Sequence, residues 1–334
     1  MTSSRRILQS LAGSFSVAIL SGCLMGPSSA LSGGPIGRAP DLREAALLPE
    51  PDSTRGTGFT IISNRRDLLE ESRVELNAAA RAYERLLGNR PTEGAIRLTS
   101  DDRQVLVAIR GARPQPTAFV SPLGRDGRGR PRLPEAIRIA NDVVLAMSHD
   151  WLSSAMRELV PGDASSAGWM ARANVPAWLR AGLLLGVAEN ATRERWLVQL
   201  ARQRDSLPSV AELLRPGACD AACLAPLARF ARQGDTTGEA AAAPVVEALS
   251  PATGGGRGEA LDGRERFLAS TYSLVVFMSR REGPDFMRAL VATALAGGDV
   301  RAALGTARSF TADPADIDRQ WRVWLAPFAH PDGR

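Results

Sequence analysis

Apolar side chains recur at two different spacings along the first half of the chain. Over residues 65–87 they fall at every third or fourth position, which predicts a long amphipathic helix that ends before Gly88. Shorter runs, several of them rich in Val and Ile, predict strands on both sides of that helix. These strands are expected at residues 58–63, 95–99, 104–109, 117–121 and 135–140, the last of them bordering any cleft.

Helical spacing dominates the second half of the chain. The predicted helices cover residues 195–207, 209–214, 264–278, 284–295, 300–304 and 314–325. Taken together, the two halves predict an α+β fold. It consists of an N-terminal mixed β-sheet with a long helix, followed by a mainly helical C-terminal half.

The stretch between these halves, residues 137–190, contains the side chains of greatest chemical interest. His149 lies on the flank of an apolar helical stripe, and Ser153 follows four residues later on the same face. After a gap rich in Gly, Ser and Asn, Asn174 and Pro176 are start signals for a second helix. A serine nucleophile with a histidine base is conceivable at this spacing, but no third group or oxyanion hole is identifiable.

Two five-residue motifs in this stretch resemble the active-site core of the gluzincins, zinc peptidases of the peptidase MA-like group. Those enzymes read HExxH on the first helix and WLxEG on the second. This chain reads HDWLS from His149 to Ser153 and WLRAG from Trp178 to Gly182. The order of strand, long helix, strands and histidine helix is also similar to the N-terminal half of a gluzincin. The resemblance implies a zincin-like fold over residues 57–327.

The resemblance also implies a role for each motif position. In the family, two histidines one helical turn apart and a carboxylate on the second helix hold zinc, and a glutamate acts as general base. Here His149 stands at the first ligand position, Ser153 at the second and Ala181 at the third, with Asp150 at the base position. One imidazole supplies too few donors for zinc, so we predict no metal, no cofactor and no catalytic activity.

The function implied by this resemblance is binding rather than hydrolysis. A cleft of this kind can hold an extended peptide along its edge strand, so the predicted role is peptide or protein binding, or scaffolding. Two other hypotheses stay open. One is an active zinc peptidase with non-standard ligands, and the other is a helical envelope module unrelated to gluzincins. Tyr272 is either a vestigial oxyanion donor or a core tyrosine.

The first residues have the pattern of a bacterial export signal. Arg5 and Arg6 precede an apolar run at residues 7–20 that is too short to span a bilayer stably. The next letters, LSGC, resemble a lipobox that ends at Cys23. We therefore predict a signal peptide at residues 1–22, lipidation of Cys23, and a lipoprotein anchored in the bacterial cell envelope. A plain signal peptide and an uncleaved anchor are the alternatives.

The rest of the chain divides by composition. Residues 23–56 are rich in Gly, Pro and Ser and predict a flexible tether. The domain at 57–327 is expected to have an α/β half at 57–140 and a helical half at 141–327. A low-complexity stretch at 234–263 predicts a mobile insert within the helical half, and 328–334 is expected to be a tail.

Charge and cysteine content limit the kinds of partner and bond that the chain is expected to form. All 41 basic residues are arginine, the net charge is +5, and aromatic residues make up 5% of the chain. Because the arginines are spread out and aromatics are few, nucleic acid is not a predicted partner. In an exported protein, Cys219 and Cys223 predict a local disulfide. A redox dithiol and a zinc site that adds His149 to both thiols are the alternatives for that pair.

Overall fold

The computed structural model describes the chain from residue 51 onward, with gaps. All the described residues belong to one compact unit, Asp41–Arg334. They are residues 51–100, 104–111, 117–122, 135–160, 169–170, 174–188, 191–218 and 263–329. The predicted signal peptide, Cys23, both later cysteines and nearly all of the predicted insert lie outside the described residues.

Five strands form one mixed sheet whose spatial order follows the chain. Strands β2 and β3 are parallel, and the other neighbouring pairs are antiparallel. Four of the five confirm predictions made from the apolar pattern. The strands are β1 (Asp52–Gly56), β2 (Phe59–Ser63), β3 (Gly94–Ser100), β4 (Gln104–Arg110) and β5 (Thr117–Pro122).

Strand β1 corrects the predicted boundary of the tether. Residues 52–56 were expected to belong to a flexible tether, and that prediction is wrong because they pair antiparallel with β2 along their whole length. The reason is the turn that follows, in which Gly58 adopts a φ of 77°. A two-residue hairpin turn favours glycine at positive φ, and it folds the polar DSTRG segment back onto β2.

Helix α1 (Arg66–Leu87) crosses from β2 to β3 and covers one face of the sheet. A parallel strand pair needs such a crossover connection. The helix stops at Gly88, whose φ of 76° is the left-handed conformation usual at a helix C-terminus. Its apolar side belongs to the same hydrophobic core as the inward-facing residues of β2, β3 and β4, all of them buried: Phe59, Ile61, Ile96, Leu98, Val105, Val107 and Ile109.

The remaining helices follow in the order that the helical spacing predicts. Short 3-10 turns at Arg204–Ser206 and Ala326–Ala329 complete the helical half. The helices are α2 (Glu135–Leu159), α3 (Ala177–Val187), α4 (Ala191–Arg202), α5 (Val210–Leu213), α6 (Gly263–Glu282), α7 (Pro284–Leu295), α8 (Val300–Leu304) and α9 (Pro314–Leu325). The coarse α+β class is confirmed by this arrangement.

The strand predicted at 135–140 is wrong, because these residues form the first turns of α2. Two ion pairs suit the helical conformation. Arg65 donates to Glu135 at 3.1 Å, which joins the starts of α1 and α2, and Arg138 lies 3.5 Å from Asp142 one turn later. The division between the two halves is therefore at Glu135 and not after residue 140.

Two further boundaries differ from the prediction. Gly263, expected in the insert, begins α6. Phe328, expected in the tail, is partly buried against the core, with its ring centroid 5.1 Å from that of Trp324. Burial of that aromatic ring extends the folded chain beyond residue 327. Within the described residues, no helix is both long enough and apolar enough to cross a bilayer.

Candidate functional site

Helix α2 lies in the interior and is enclosed on all sides. From Ile139 to Met156 every residue except Asn141 is buried. Neighbours of α2 include α1, α3, α7, β4 and β5. A helix in such surroundings is normally apolar all round. This one instead buries a set of polar side chains: Asp142, Ser148, His149, Asp150, Ser153 and Ser154.

His149 is almost completely removed from solvent. Its side chain is 1% exposed, and its imidazole stacks on the indole of Trp169, with ring centroids 5.9 Å apart and planes at 23°. Trp169 is itself fully buried. The histidine that the motif places at a catalytic centre is therefore covered by an aromatic ring and does not face an open cleft.

Ser153 lies one helical turn after His149, as the motif predicts. Its Oγ donates a hydrogen bond to the backbone carbonyl of His149 at 2.7 Å. This is a local bond within the helix, of the kind that serines often make with the carbonyl four residues earlier. Because the hydroxyl proton points at the carbonyl and not at the imidazole, the geometry does not support a nucleophile–base pair.

Asp150 is 3% exposed, and its carboxylate lies directly against the end of β4. A Cβ atom added to Gly111 would come within 1.8 Å of the Asp150 Oδ2. At the end of the neighbouring strand, a Cβ on Gly94 would come within 2.4 Å of the Met147 Cε. Glycine at both positions allows α2 to approach the strand ends closely. The residue at the predicted base position thus packs against backbone.

Trp151, at the centre of the first motif, anchors α2 to the sheet half. Its Nε1 donates to the carbonyl of Gly58 at 3.3 Å, and its ring meets Tyr83 edge-on at 6.1 Å. Burial raises the pKa of the Tyr83 hydroxyl, and the charge of Glu158 raises it further. Tyr83 therefore stays neutral at physiological pH and serves as an apolar packing partner.

The second motif lies on α3, which packs against both α2 and α6. Ala181 is fully buried and offers no donor atom. Gly182 faces α6 so closely that a Cβ there would come within 2.4 Å of the Val275 Cγ2 and 2.7 Å of the Thr271 carbonyl oxygen. The glycine of the motif therefore has a packing role, since it allows two helices to approach each other.

Arg180 connects the two motifs through the turn between them. Its Nη1 donates to the carbonyl of Met170 at 2.5 Å, and burial lowers the pKa of its guanidinium. Met170 is the neighbour of Trp169, the residue that covers His149. The sequence analysis missed this contact. The only signal for it was an isolated Trp-Met pair within a stretch of small and polar residues.

The side chain of Asn174, which the sequence predicts to be a start signal for α3, is hydrogen-bonded to a different helix. Helix α3 begins after Pro176, which makes no side-chain cap. The Asn174 Nδ2 instead donates to the carbonyls of Ala294 and Leu295, at 3.1 and 3.0 Å. It therefore adds hydrogen bonds to carbonyl groups at the C-terminus of α7, where the helix itself provides fewer donors.

Tyr272 occupies a core position on α6. It is fully buried, and its ring meets Trp196 of α4 edge-on with centroids 6.2 Å apart. A transition-state donor has to reach a substrate oxygen at hydrogen-bonding distance. The surroundings of Tyr272 are those of a packed tyrosine and not of a residue that lines an open cleft.

The residues at the motif positions do not fit a zinc ion. Protein zinc sites use three or four donors of nitrogen, sulfur or carboxylate oxygen. Here His149 offers one imidazole, Ser153 uses its proton on the helix backbone, and Ala181 offers a methyl group. Among the residues that the structure describes, no three His, Cys, Asp or Glu side chains are grouped closely enough to hold a metal ion.

The predicted lipid and disulfide sites at Cys23, Cys219 and Cys223 lie outside the described residues and stay predictions. No family model, curated protein or solved structure matches this chain.

Proposed function

We propose that this chain is a lipid-anchored protein of the bacterial cell envelope whose zincin-like domain binds peptide or protein without cleaving it. The element order supports the proposal: strand, crossover helix α1, further strands, then α2 with HDWLS and α3 with WLRAG in contact with each other. The domain is a gluzincin relative that has lost its metal ligands. Cys23 holds it at the membrane through an attached lipid.

One observation carries the proposal. At the second ligand position, the hydroxyl of Ser153 donates to the His149 carbonyl at 2.7 Å, and at the third position Ala181 is a fully buried methyl group. Ala181 has no side-chain atom that could bind a metal, and the serine at position 153 is a poor zinc ligand. With His149 alone, zinc would lack the donors that a stable site requires. Hydrolysis by a metal-activated water is therefore not the function of this domain.

Strand β5 offers the binding edge that the proposal needs. It is the last strand of the sheet and pairs on one side with β4. Within the described part of the chain, no strand pairs with its other side. An extended peptide that adds to such an edge makes main-chain hydrogen bonds that depend little on its sequence. Because α2 contacts β5, the bound peptide would run beside the histidine helix.

The first test measures metal and activity in the purified chain. We expect far less than one zinc per chain by mass spectrometry, and no cleavage of casein, with or without chelator. About one zinc per chain would reject the proposal. Casein cleavage that disappears with chelator and with His149→Ala would replace it by an active zinc peptidase.

A second arm tests the binding edge with a photo-crosslinking amino acid at Ala118 of β5. The control places the same group at Val323, which is 65% exposed on α9 and far along the chain from the sheet. We expect casein to crosslink at position 118 and not at 323. Equal crosslinking at both positions, or none at either, would contradict binding along β5.

A further inference from the structure

The sheet has a second face that no described helix covers. Helices α1 and α2 pack on the face that carries Phe59, Ile96 and Val107. Because side chains alternate along a strand, the intervening residues point to the opposite side. All of these are exposed or partly exposed: Ser53, Arg55, Thr60, Ile62, Ala95, Arg97, Thr99, Leu106, Ala108 and Arg110. We call this set the outer face.

Three arginines stand on the outer face. The pairing register places Arg55, Thr60, Ala95 and Arg110 in one row across β1 to β4, and Arg97 in the next row. From strand spacing and rise, the Cα atoms of Arg97 and Arg110 lie about 8 Å apart, and those of Arg55 and Arg110 about 14 Å. None of the outward positions of these four strands carries a carboxylate.

Several arginines elsewhere in the described chain are paired with acidic side chains. Arg65, Arg138 and Arg322 each pair with a carboxylate at 2.5 to 3.5 Å. Within the same described residues, Arg55, Arg97 and Arg110 take part in no ion pair, and all three are exposed. Asp52, the nearest acid on β1, interacts electrostatically with Arg66 on the helix side of the sheet. The outward positions of these four strands therefore carry positive charge and no negative charge.

Between the arginines the outer face is flat and partly apolar. Ile62, Leu106 and Ala108 are partly exposed, and no outward position on β1 to β4 is aromatic. Proteins that bind single-stranded nucleic acid combine basic grooves with aromatic side chains on which bases stack. An array of arginine guanidinium groups over small apolar side chains suits a surface that presents phosphate groups above hydrocarbon.

We infer that the outer face docks on an anionic lipid surface, with Arg55, Arg97 and Arg110 contacting lipid phosphates. The inference rests on the proposed envelope location, since a lipid on Cys23 would hold the domain at that surface. The chain that leads from Cys23 enters the described domain at β1, the strand that carries Arg55. The lipid anchor and the outer face would then act as two membrane signals, and two such signals bind much more stably than one.

The test uses a chain that starts at residue 23 with Cys23→Ser, so no lipid can be attached. It keeps the whole compact unit Asp41–Arg334. Binding is measured by co-sedimentation with phosphatidylcholine vesicles, with and without phosphatidylglycerol. We expect binding only when the anionic lipid is present, and weaker binding as salt rises. Replacing all three outer-face arginines by Gln should weaken binding about 100-fold, since each basic residue near such a surface contributes about fivefold.

The matched control replaces Arg73, Arg81 and Arg281 by Gln, three exposed arginines on helices α1 and α6. It removes the same charge and should leave vesicle binding within about twofold if the outer face is the docking surface. An equal loss in both triple variants would show that net charge alone is responsible and would overturn the inference.

Two other results would also overturn it. One is unchanged binding in the outer-face variant, and the other is tighter binding to a single-stranded oligonucleotide than to anionic vesicles. Because the assay does not depend on Cys23, zinc or casein, it can fail while the proposed function stands. The reverse also holds, since casein binding at β5 can fail while the outer face still docks on vesicles.

Discussion

Helices α2 and α6 both run through the interior, but they bury different kinds of polar group. On α6 the buried polar side chains are hydroxyls: Ser270, Thr271, Ser273 and Ser279, besides the phenol of Tyr272. On α2 the buried set includes three ionisable side chains, Asp142, His149 and Asp150. A buried charge costs far more than a buried hydroxyl unless it is paired. The burial of α2 therefore depends more on partners for its polar groups than the burial of α6 does.

Most of the buried hydroxyls of α6 donate a hydrogen bond to a backbone carbonyl. Thr271 and Ser273 donate to carbonyls three residues earlier, at 3.0 and 2.9 Å, and Ser279 donates to the carbonyl of Arg85 at 3.2 Å. Such bonds cost the fold little. The ionisable groups of α2 include Asp142, which pairs with Arg138 on the same helix at 3.5 Å, and His149, whose ring stacks on that of Trp169. Disturbing those contacts should therefore affect α2 most.

The largest effect is expected from Trp169→Ala, which removes the ring that covers His149. Loss of a fully buried indole should lower the free energy of unfolding by about 3–5 kcal/mol, measured by urea denaturation. It should also open His149 to diethylpyrocarbonate, with labelling located by mass spectrometry under conditions where the variant is folded. The chain has only two histidines, so the modified peptide is easily assigned.

Trp321→Ala is the matched control, since Trp321 is also fully buried but packs against α6. A similar loss of stability is expected from the same loss of buried area. His149 should stay protected from the reagent in this variant. If His149 reacts as fast in the native chain as in Trp169→Ala, the assignment of Trp169 as its cover is wrong.

A smaller loss of stability is expected when a buried serine hydroxyl is removed, and its size should depend on whether that hydroxyl is hydrogen-bonded. Ser273 accepts a hydrogen bond from the Trp321 Nε1 at 3.2 Å. Ser273→Ala leaves that indole N–H without its acceptor and should destabilise the fold by about 1–3 kcal/mol. Ser148 on α2 is fully buried, and its Oγ has no hydrogen-bond partner within the described residues. Ser148→Ala should therefore be neutral or slightly stabilising.

Thermal melting of both serine variants checks this pair. The chemical change is the same in each, a hydroxyl replaced by hydrogen, so packing differences are small. A loss of stability in Ser148→Ala equal to that in Ser273→Ala would mean that the α2 hydroxyl is bonded in solution. The contrast between the two helices would then no longer hold for their serines.

Local pattern was enough to predict much of the fold. The spacing of Leu68, Leu76 and Tyr83 predicted α1 almost to its ends, because those residues all lie on the buried side of the helix. Alternation predicted β3 and β4 for the same reason. The pattern misled at residues 135–140, where a short apolar run was read as a strand. Their continuity with the buried helix that follows outweighs that local preference.

The contacts that define the candidate site could not be predicted from local pattern. Asn174 bonds to carbonyls 120 and 121 residues away, and nothing in the sequence near it indicates α7. Trp169 and His149 lie well apart in the chain, and no local pattern indicates that their rings stack. The motif spacing did predict that Ser153 lies one turn after His149, but not that its proton is donated to the backbone.

The smallest effect is expected at the end of α6, where its charges meet solvent. Burial raises the pKa of the Glu282 carboxyl, but donation from the backbone N–H groups of Arg308 and Ser309 and from the Ser309 hydroxyl outweighs it. The pKa of Glu282 therefore lies below its ordinary value of 4.5. Because its pKa is lowered in the folded state, ionised Glu282 stabilises the fold above pH 4.5. This stabilisation is lost as the pH falls through the pKa of Glu282 in the folded state.

Glu282→Gln should thus be less stable than the native chain at neutral pH, by about 1 kcal/mol or less because the group is partly exposed. The difference in free energy of unfolding between the two chains should shrink as the pH drops below 4.5 and Glu282 of the native chain becomes protonated. Urea denaturation across this range measures it. Glu93→Gln, at an exposed carboxyl before β3, is the charge-matched control. A stability difference that stays constant with pH would mean that Glu282 acts through packing. The contrast between α6 and α2 would then be limited to their buried residues.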